Sequence, residues 1–171
     1  MAYLIDTDII IFALRGDKTV LAKFEENKHI PISISMITYA ELVFGAKRSQ
    51  NEQKNMIKVN HIREIYPIEE LNADVMEVFA DIKAKLYAKA IRIEDMDLFI
   101  AATAIYNDLT LVTNNTKHFE NIPLLKLEKK LTTIRLEIFC IPAYSLHPSH
   151  HSLYFRLPVL HKIFRFKRLC V

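Results

Sequence analysis

Glycine is nearly missing from this chain: its 171 residues include only Gly16 and Gly45. A loop that cradles phosphates with backbone N–H groups needs several closely spaced glycines, so a P-loop or a dinucleotide-binding fold is excluded. Cysteine is equally scarce. Cys140 and Cys170, both late in the chain, form neither a disulfide framework nor a zinc-binding spacing. That scarcity points to a reducing cytoplasm. No apolar run approaches the ~18 residues that span a bilayer, so no membrane partner is expected. The first apolar segment is broken by Asp6 and Asp8 and lacks a basic lead, which argues against a signal peptide.

What the chain has in quantity is apolar surface and unevenly spread charge. Hydrophobic residues make up 51% and charged residues 25%, enough for one domain with a sizeable core and room for an extension. The net charge of +3 hides a division. From Lys129 onward eight Lys or Arg face one acid, Glu137, a balance of +7; residues 1–128 hold 15 Lys or Arg and 19 acids, a balance of −4.

Strand-like and helix-like stretches alternate along the acidic body. Residues 2–6 (AYLID), 30–34 (IPISI), 66–68, 109–113 (LTLVT) and 124–127 (LLKL) read as strands. Residues 9–15, 18–28, 36–48, 52–65, 72–90 and 97–107 read as helices, with Ser35 and Asn72 as N-caps. This alternation predicts an α/β fold with a parallel sheet covered by helices on both faces. Ligands of such sheets gather beyond the carboxyl ends of the strands. Asp6 ends one strand, and Thr113, Asn114 and Asn115 end another, so both ends should meet one rim.

Two aspartates in the apolar run YLIDTDIIIFAL need an explanation, because a buried carboxylate requires a cation or donors nearby. Glu41 sits among apolar neighbours in TYAELVFG, on a face expected to be partly buried. Asp97 opens the apolar stretch DLFIAATA. Each acid has a bland alternative: a cap for Asp97, a turn or cap for Asp8, an ion pair for Glu41. Three acids at three points where elements meet the rim favour a metal site instead. Oxygen ligands suit a hard cation, Mg²⁺ or Mn²⁺, whose fitting chemistry is phosphodiester hydrolysis.

YLIDTDIIIFAL, ITYAELVFGAKRS and DMDLFIAATAIYNDLTLVTNNTKHFENIPLLKLE follow one another in an order and spacing that resembles a PIN-domain ribonuclease, and within that family the VapC-type toxins of toxin–antitoxin pairs. The resemblance covers residues 2–128. It implies a three-layer α/β sandwich with a central parallel sheet over a 1–128 nuclease domain. It also implies an Mg²⁺- or Mn²⁺-dependent endoribonuclease site with Asp6, Glu41 and Asp97 as catalytic metal ligands. Thr7 and Thr113 match positions that hold hydroxyls near the acids, and Asp8 matches one often filled by Asn. Asp95 is the rival for the third acid, although the register of DLFIAA favours Asp97. Asn115 stands where the family often has a fourth acid, which leaves a second metal open; Glu120 is the nearest acid that could substitute. His118 reads as structural. The implied partners are a VapB-type antitoxin, RNA with tRNA suggested, and a second copy of the chain through the helices near Phe44 and Ile57.

Residues 129–171 fall outside the resemblance. Their aromatic and basic residues read either as an RNA-contacting arm or as the product of a frame change. Two other functions compete with the toxin reading: a catalytically inactive PIN-fold module that binds RNA or protein, and a flap-type DNA nuclease, for which the acidic body is too short.

Overall fold

In the computed structural model the described residues are 2–129; the expectations for the basic segment beyond them lie outside that range. Five strands and seven helices alternate: β1 (Tyr3–Ile5), α1 (Thr7–Leu14), α2 (Lys18–Glu26), β2 (Ile32–Ser35), α3 (Met36–Arg48), α4 (Glu52–Ile65), β3 (Ile68–Glu69), α5 (Ala73–Ala88), α6 (Asp95–Tyr106), β4 (Thr110–Thr113), α7 (Thr116–Phe119) and β5 (Lys126–Lys129). All strand pairings are parallel, in the order β3-β2-β1-β4-β5. This is the helix-covered parallel sheet that the alternation of elements predicts and the α/β sandwich that the resemblance implies.

Side chains on a strand point to alternate faces, and the two faces here carry two separate cores. Leu4 and Leu111 face Val75, Ile82 and Leu86 of α5 and Leu98 and Ala101 of α6. Tyr3, Ile5, Ile34 and Val112 face Ile9 and Ile10 of α1, Leu42 of α3 and Ile62 of α4. A central strand covered on both sides has no reason to alternate polar and apolar residues, which is why AYLI is apolar throughout. The long α5 and the apolar α6 form a hairpin. Phe79 and Phe99 stack in it at 4.1 Å between ring centroids, and Tyr106 donates to Asp74 at 2.8 Å at its far end.

Polar side chains set the helix starts. Asp17 accepts from Thr19 and Val20 N–H, Ser35 from Thr38 N–H and Asn72 from Val75 N–H. Some boundaries differ from the expected ones. Helix α1 begins at Thr7 because Asp6 itself is its N-cap. Strand β3 begins later than residue 66 because the Tyr66 N–H bonds back to Ile62 and closes α4. Strand β5 begins after Leu124, whose φ of 67° is incompatible with a strand. The single turn α7 is too short to show a helical period.

The chain runs from β1 to β2 and β3 on one side, then crosses to β4 on the other. The reversal of strand order falls between β1 and β4, and ligands of such sheets gather beyond the carboxyl ends of the strands at that point.

Candidate functional site

Asp6 follows β1 directly, and its N–H donates to Val112 O at 3.0 Å, so β1 and β4 stay joined up to their carboxyl ends. Its side chain accepts from Thr7 N–H at 2.7 Å and pairs with the Thr113 hydroxyl, leaving the residue 7% exposed. Burial pushes the Asp6 carboxyl up to about 6. The Thr113 and Thr7 hydrogen bonds oppose that rise, while the negative charges of Asp8 and Asp97 add to it. Asp8 and Asp97 are therefore within electrostatic reach of Asp6, as a shared rim requires.

Asp8 is not the cap of α1. It lies in the first turn and accepts from Asn114 N–H at 3.0 Å, tying α1 to the segment after β4. The Thr7 hydroxyl donates to Glu41 Oε2. Glu41 is exposed rather than partly buried. Ile37, Thr38, Leu42 and Ala46 take the buried side of α3, and Glu41 lies beside that stripe, where α1 passes.

Asp97 is the third residue of α6, which starts at Asp95, so Asp97 is not the helix cap. Its side chain is 22% exposed, and Oδ2 lies 2.8 Å from His118 Nδ1. His118 thus meets an acid of the rim, a contact that the sequence does not announce; its place one turn past VTNN is the available signal. Asp95 points elsewhere: Lys83 Nζ binds both its oxygens, at 2.7 and 2.8 Å. Two helix positions differ by about 200° in direction, which separates these neighbouring acids.

Thr113 is fully buried, and its hydroxyl accepts from Asn115 N–H at 3.0 Å. Asn115 is exposed and makes no capping bond to α7. Glu120 is exposed just after α7.

The structure thus brings together Asp6, Thr7, Asp8, Glu41, Asp97, Thr113 and His118, and turns Asp95 away. In kind, these oxygen donors fit a hard divalent cation. A buried carboxylate whose pKa is raised by burial and flanking acids is also the group that a cation would relieve. Among the described residues no three acids, histidines or cysteines are grouped so as to hold a metal ion; Glu41 is engaged by Thr7 and Asp97 by His118. Asp6, Asp97 and Glu41 are the acids that the sequence assigns to an ion, and the structure holds them through separate partners. Among the described residues no helix is long and apolar enough to cross a membrane.

Comparison with known proteins bears on the family and the fold. Residues 3–124 match the family described as PIN domain. Ribonuclease VapC2 of Rickettsia felis is 33% identical over 130 residues, covering 75% of this chain and 97% of the relative. The tRNA(fMet)-specific endonuclease VapC of Shigella flexneri is 28% identical over 129 residues, covering 75% and 97%. The crystal structure of VapBC2 from Rickettsia felis, bound to a DNA fragment from its promoter, superposes with a TM-score of 0.71 at 32% identity, covering 75% of this chain and 98% of that one.

Proposed function

This chain belongs to the PIN-domain family and, within it, to the VapC ribonucleases, and on that premise we propose that it is the toxin of a toxin–antitoxin pair. Its activity is endonucleolytic hydrolysis of RNA, restrained by a VapB-type antitoxin. The names of two relatives, tRNA(fMet)-specific endonucleases, make tRNA the first substrate to test. The antitoxin is supported by similar solved structures that are VapBC complexes. Exposed Phe44 and Ile57, on α3 and α4, are the surface we assign to a second copy.

The observation that carries the catalytic reading is the buried Asp6 carboxylate with Asp8 and Asp97 beside it at the switch point of the sheet. We assign Asp6, Glu41 and Asp97 to a Mg²⁺ or Mn²⁺ ion. Such an ion, when bound, would supply Lewis-acid assistance to hydrolysis of a phosphodiester. The chain's own residues do the positioning. Thr113 and the Thr7 N–H hold Asp6 in place; the Thr7 hydroxyl orients Glu41; His118 holds one oxygen of Asp97. Asp8 fastens the segment that carries Thr113 and Asn115.

Incubation of the purified protein with bulk tRNA and with duplex DNA, with and without Mg²⁺ or Mn²⁺, tests this reading. We expect cation-dependent cleavage of RNA alone, abolished in Asp6→Asn and Asp97→Asn with the circular dichroism unchanged. Cleavage that persists in chelator, or in Asp6→Asn, would overturn it; RNA binding without cleavage would favour the inactive module.

A further inference from the structure

The acidic body has one stretch of opposite character. Residues 83–92, KAKLYAKAIR, hold Lys83, Lys85, Lys89 and Arg92 and no acid, against a balance of −4 for residues 1–128. They form the end of α5 and the turn into α6, the helix that carries Asp97. A cleft of about 200 Å³ opens there, with Lys83, Tyr87, Arg92 and Asp95 among its lining residues. Tyr87 is 63% exposed, and the Arg92 guanidinium lies 4.3 Å from the centroid of its ring.

The backbone builds this pairing. Ala90 has φ 56°, a left-handed residue that ends α5, and the N–H groups of Ala90 and Ile91 bond back to Tyr87 O and Leu86 O. The chain therefore reverses within two residues and returns Arg92 over Tyr87. The Lys83–Asp95 ion pair joins α5 to the first turn of α6 and neutralises the acid that would otherwise repel an anion at this spot. Among the described residues Lys85, Lys89 and Arg92 have no ion pair, and Arg92 lies beside an exposed aromatic ring.

We propose that Tyr87 and Arg92 form a binding platform for single-stranded RNA next to the cleavage site. A base flanking the scissile bond stacks on the Tyr87 ring, and Arg92 contacts a phosphate. The inference rests on the endoribonuclease reading. The start of α6 contributes to both places: Asp95 lines the cleft, and Asp97, two residues on, belongs to the candidate site. Stacking is indifferent to base identity, so the platform provides affinity and register more than sequence choice.

The test measures binding of a fluorescein-labelled 12-nucleotide single-stranded RNA to the full chain in chelator, over a range of salt, alongside RNA cleavage in Mn²⁺. We expect Tyr87→Leu and Arg92→Gln each to weaken binding about tenfold and to raise the KM for RNA with little change in kcat. Arg92→Gln should also reduce the slope of log K against log salt by about 0.7, the release expected from one phosphate contact. Tyr87→Phe, which keeps the ring, should bind as the unmodified protein does. Hydrolysis of bis(p-nitrophenyl) phosphate, too small to reach the cleft, should be the same in all variants. Wild-type protein that cuts RNA, with variants that match it in affinity and salt slope, would overturn this inference and leave the functional reading standing. Variants that lose only self-association would assign the cleft to a protein contact and overturn it equally. Wild-type protein that neither binds nor cuts RNA would overturn the functional reading and this inference with it.

Discussion

At near-neutral pH the metal-free protein holds the Asp6 charge 7% exposed, beside two other acids. Its carboxyl is raised from 3.8 to about 6, so the folded state binds that proton more tightly than the unfolded state does. The stability this contributes is complete below the unfolded value and is lost as pH rises through about 6. The loss is on the order of 3 kcal/mol when complete. Asn keeps the acceptor for Thr7 N–H and carries no charge. Asp6→Asn in chelator should therefore resist urea better than wild type at pH 8, by up to that amount, and equally well near pH 3. Equal midpoints at pH 8 would mean that the charge is already compensated. Added Mn²⁺ should close the gap by stabilising only the wild type. For His118, held 2.8 Å from Asp97, removal leaves the carboxylate free to turn. His118→Ala should cost about tenfold or more in Mn²⁺ affinity, measured by calorimetry, with the melting temperature little changed.

Single elements carry their own strains and caps. Leu124 is 79% exposed at φ 67°, a conformation that costs a side-chain-bearing residue about 1–2 kcal/mol. Leu124→Gly removes that strain and little packing. After the entropy that glycine adds to the unfolded chain, it should raise stability by about 0.5–1 kcal/mol in a urea titration. Ser35, fully buried, accepts from Thr38 N–H at 2.9 Å, so Ser35→Ala should lower stability by about 1 kcal/mol in the same titration. Caps of this kind are legible in the amino-acid sequence alone: Ser35 and Asn72 stand immediately before apolar-periodic runs. So is the meeting of Asp6 with Thr113, because a parallel sheet puts its carboxyl ends on one rim. The exposure of Glu41 is not legible there. Apolar neighbours in sequence are spread around the helix by its 100° step, and the rotation that buries Leu42 is fixed by packing on α1 and α4. His118 stays hidden for a related reason, since a single turn of helix has no periodicity to aim its side chain. The left-handed Leu124 carries none of the glycine or asparagine that usually marks such a position.

For the molecule as a whole, the division of charge is the property most open to test. Residues 1–129 contain every residue of the candidate site and the five strands found among the described residues, the last ending at Lys129. We expect a chain ending at Lys129 to keep its circular dichroism spectrum and its RNA cleavage. Insolubility after truncation would mean that the removed segment covers apolar surface. The pairing of β1 with β4 has a further consequence, in time rather than in space. Asp8 and Asn114, joined by a hydrogen bond, are 106 positions apart, and the N–H of Asp6 reaches across the same gap to Val112. Contacts so distant along the chain form late in folding, and cannot form at all until both partners exist. A ribosome that has polymerised α1 through α6 has made Asp6, Glu41 and Asp97, but not the strand that brings them to one rim. Under the proposed function, the growing chain is harmless to the RNA machinery that is making it until the residues of β4 have emerged.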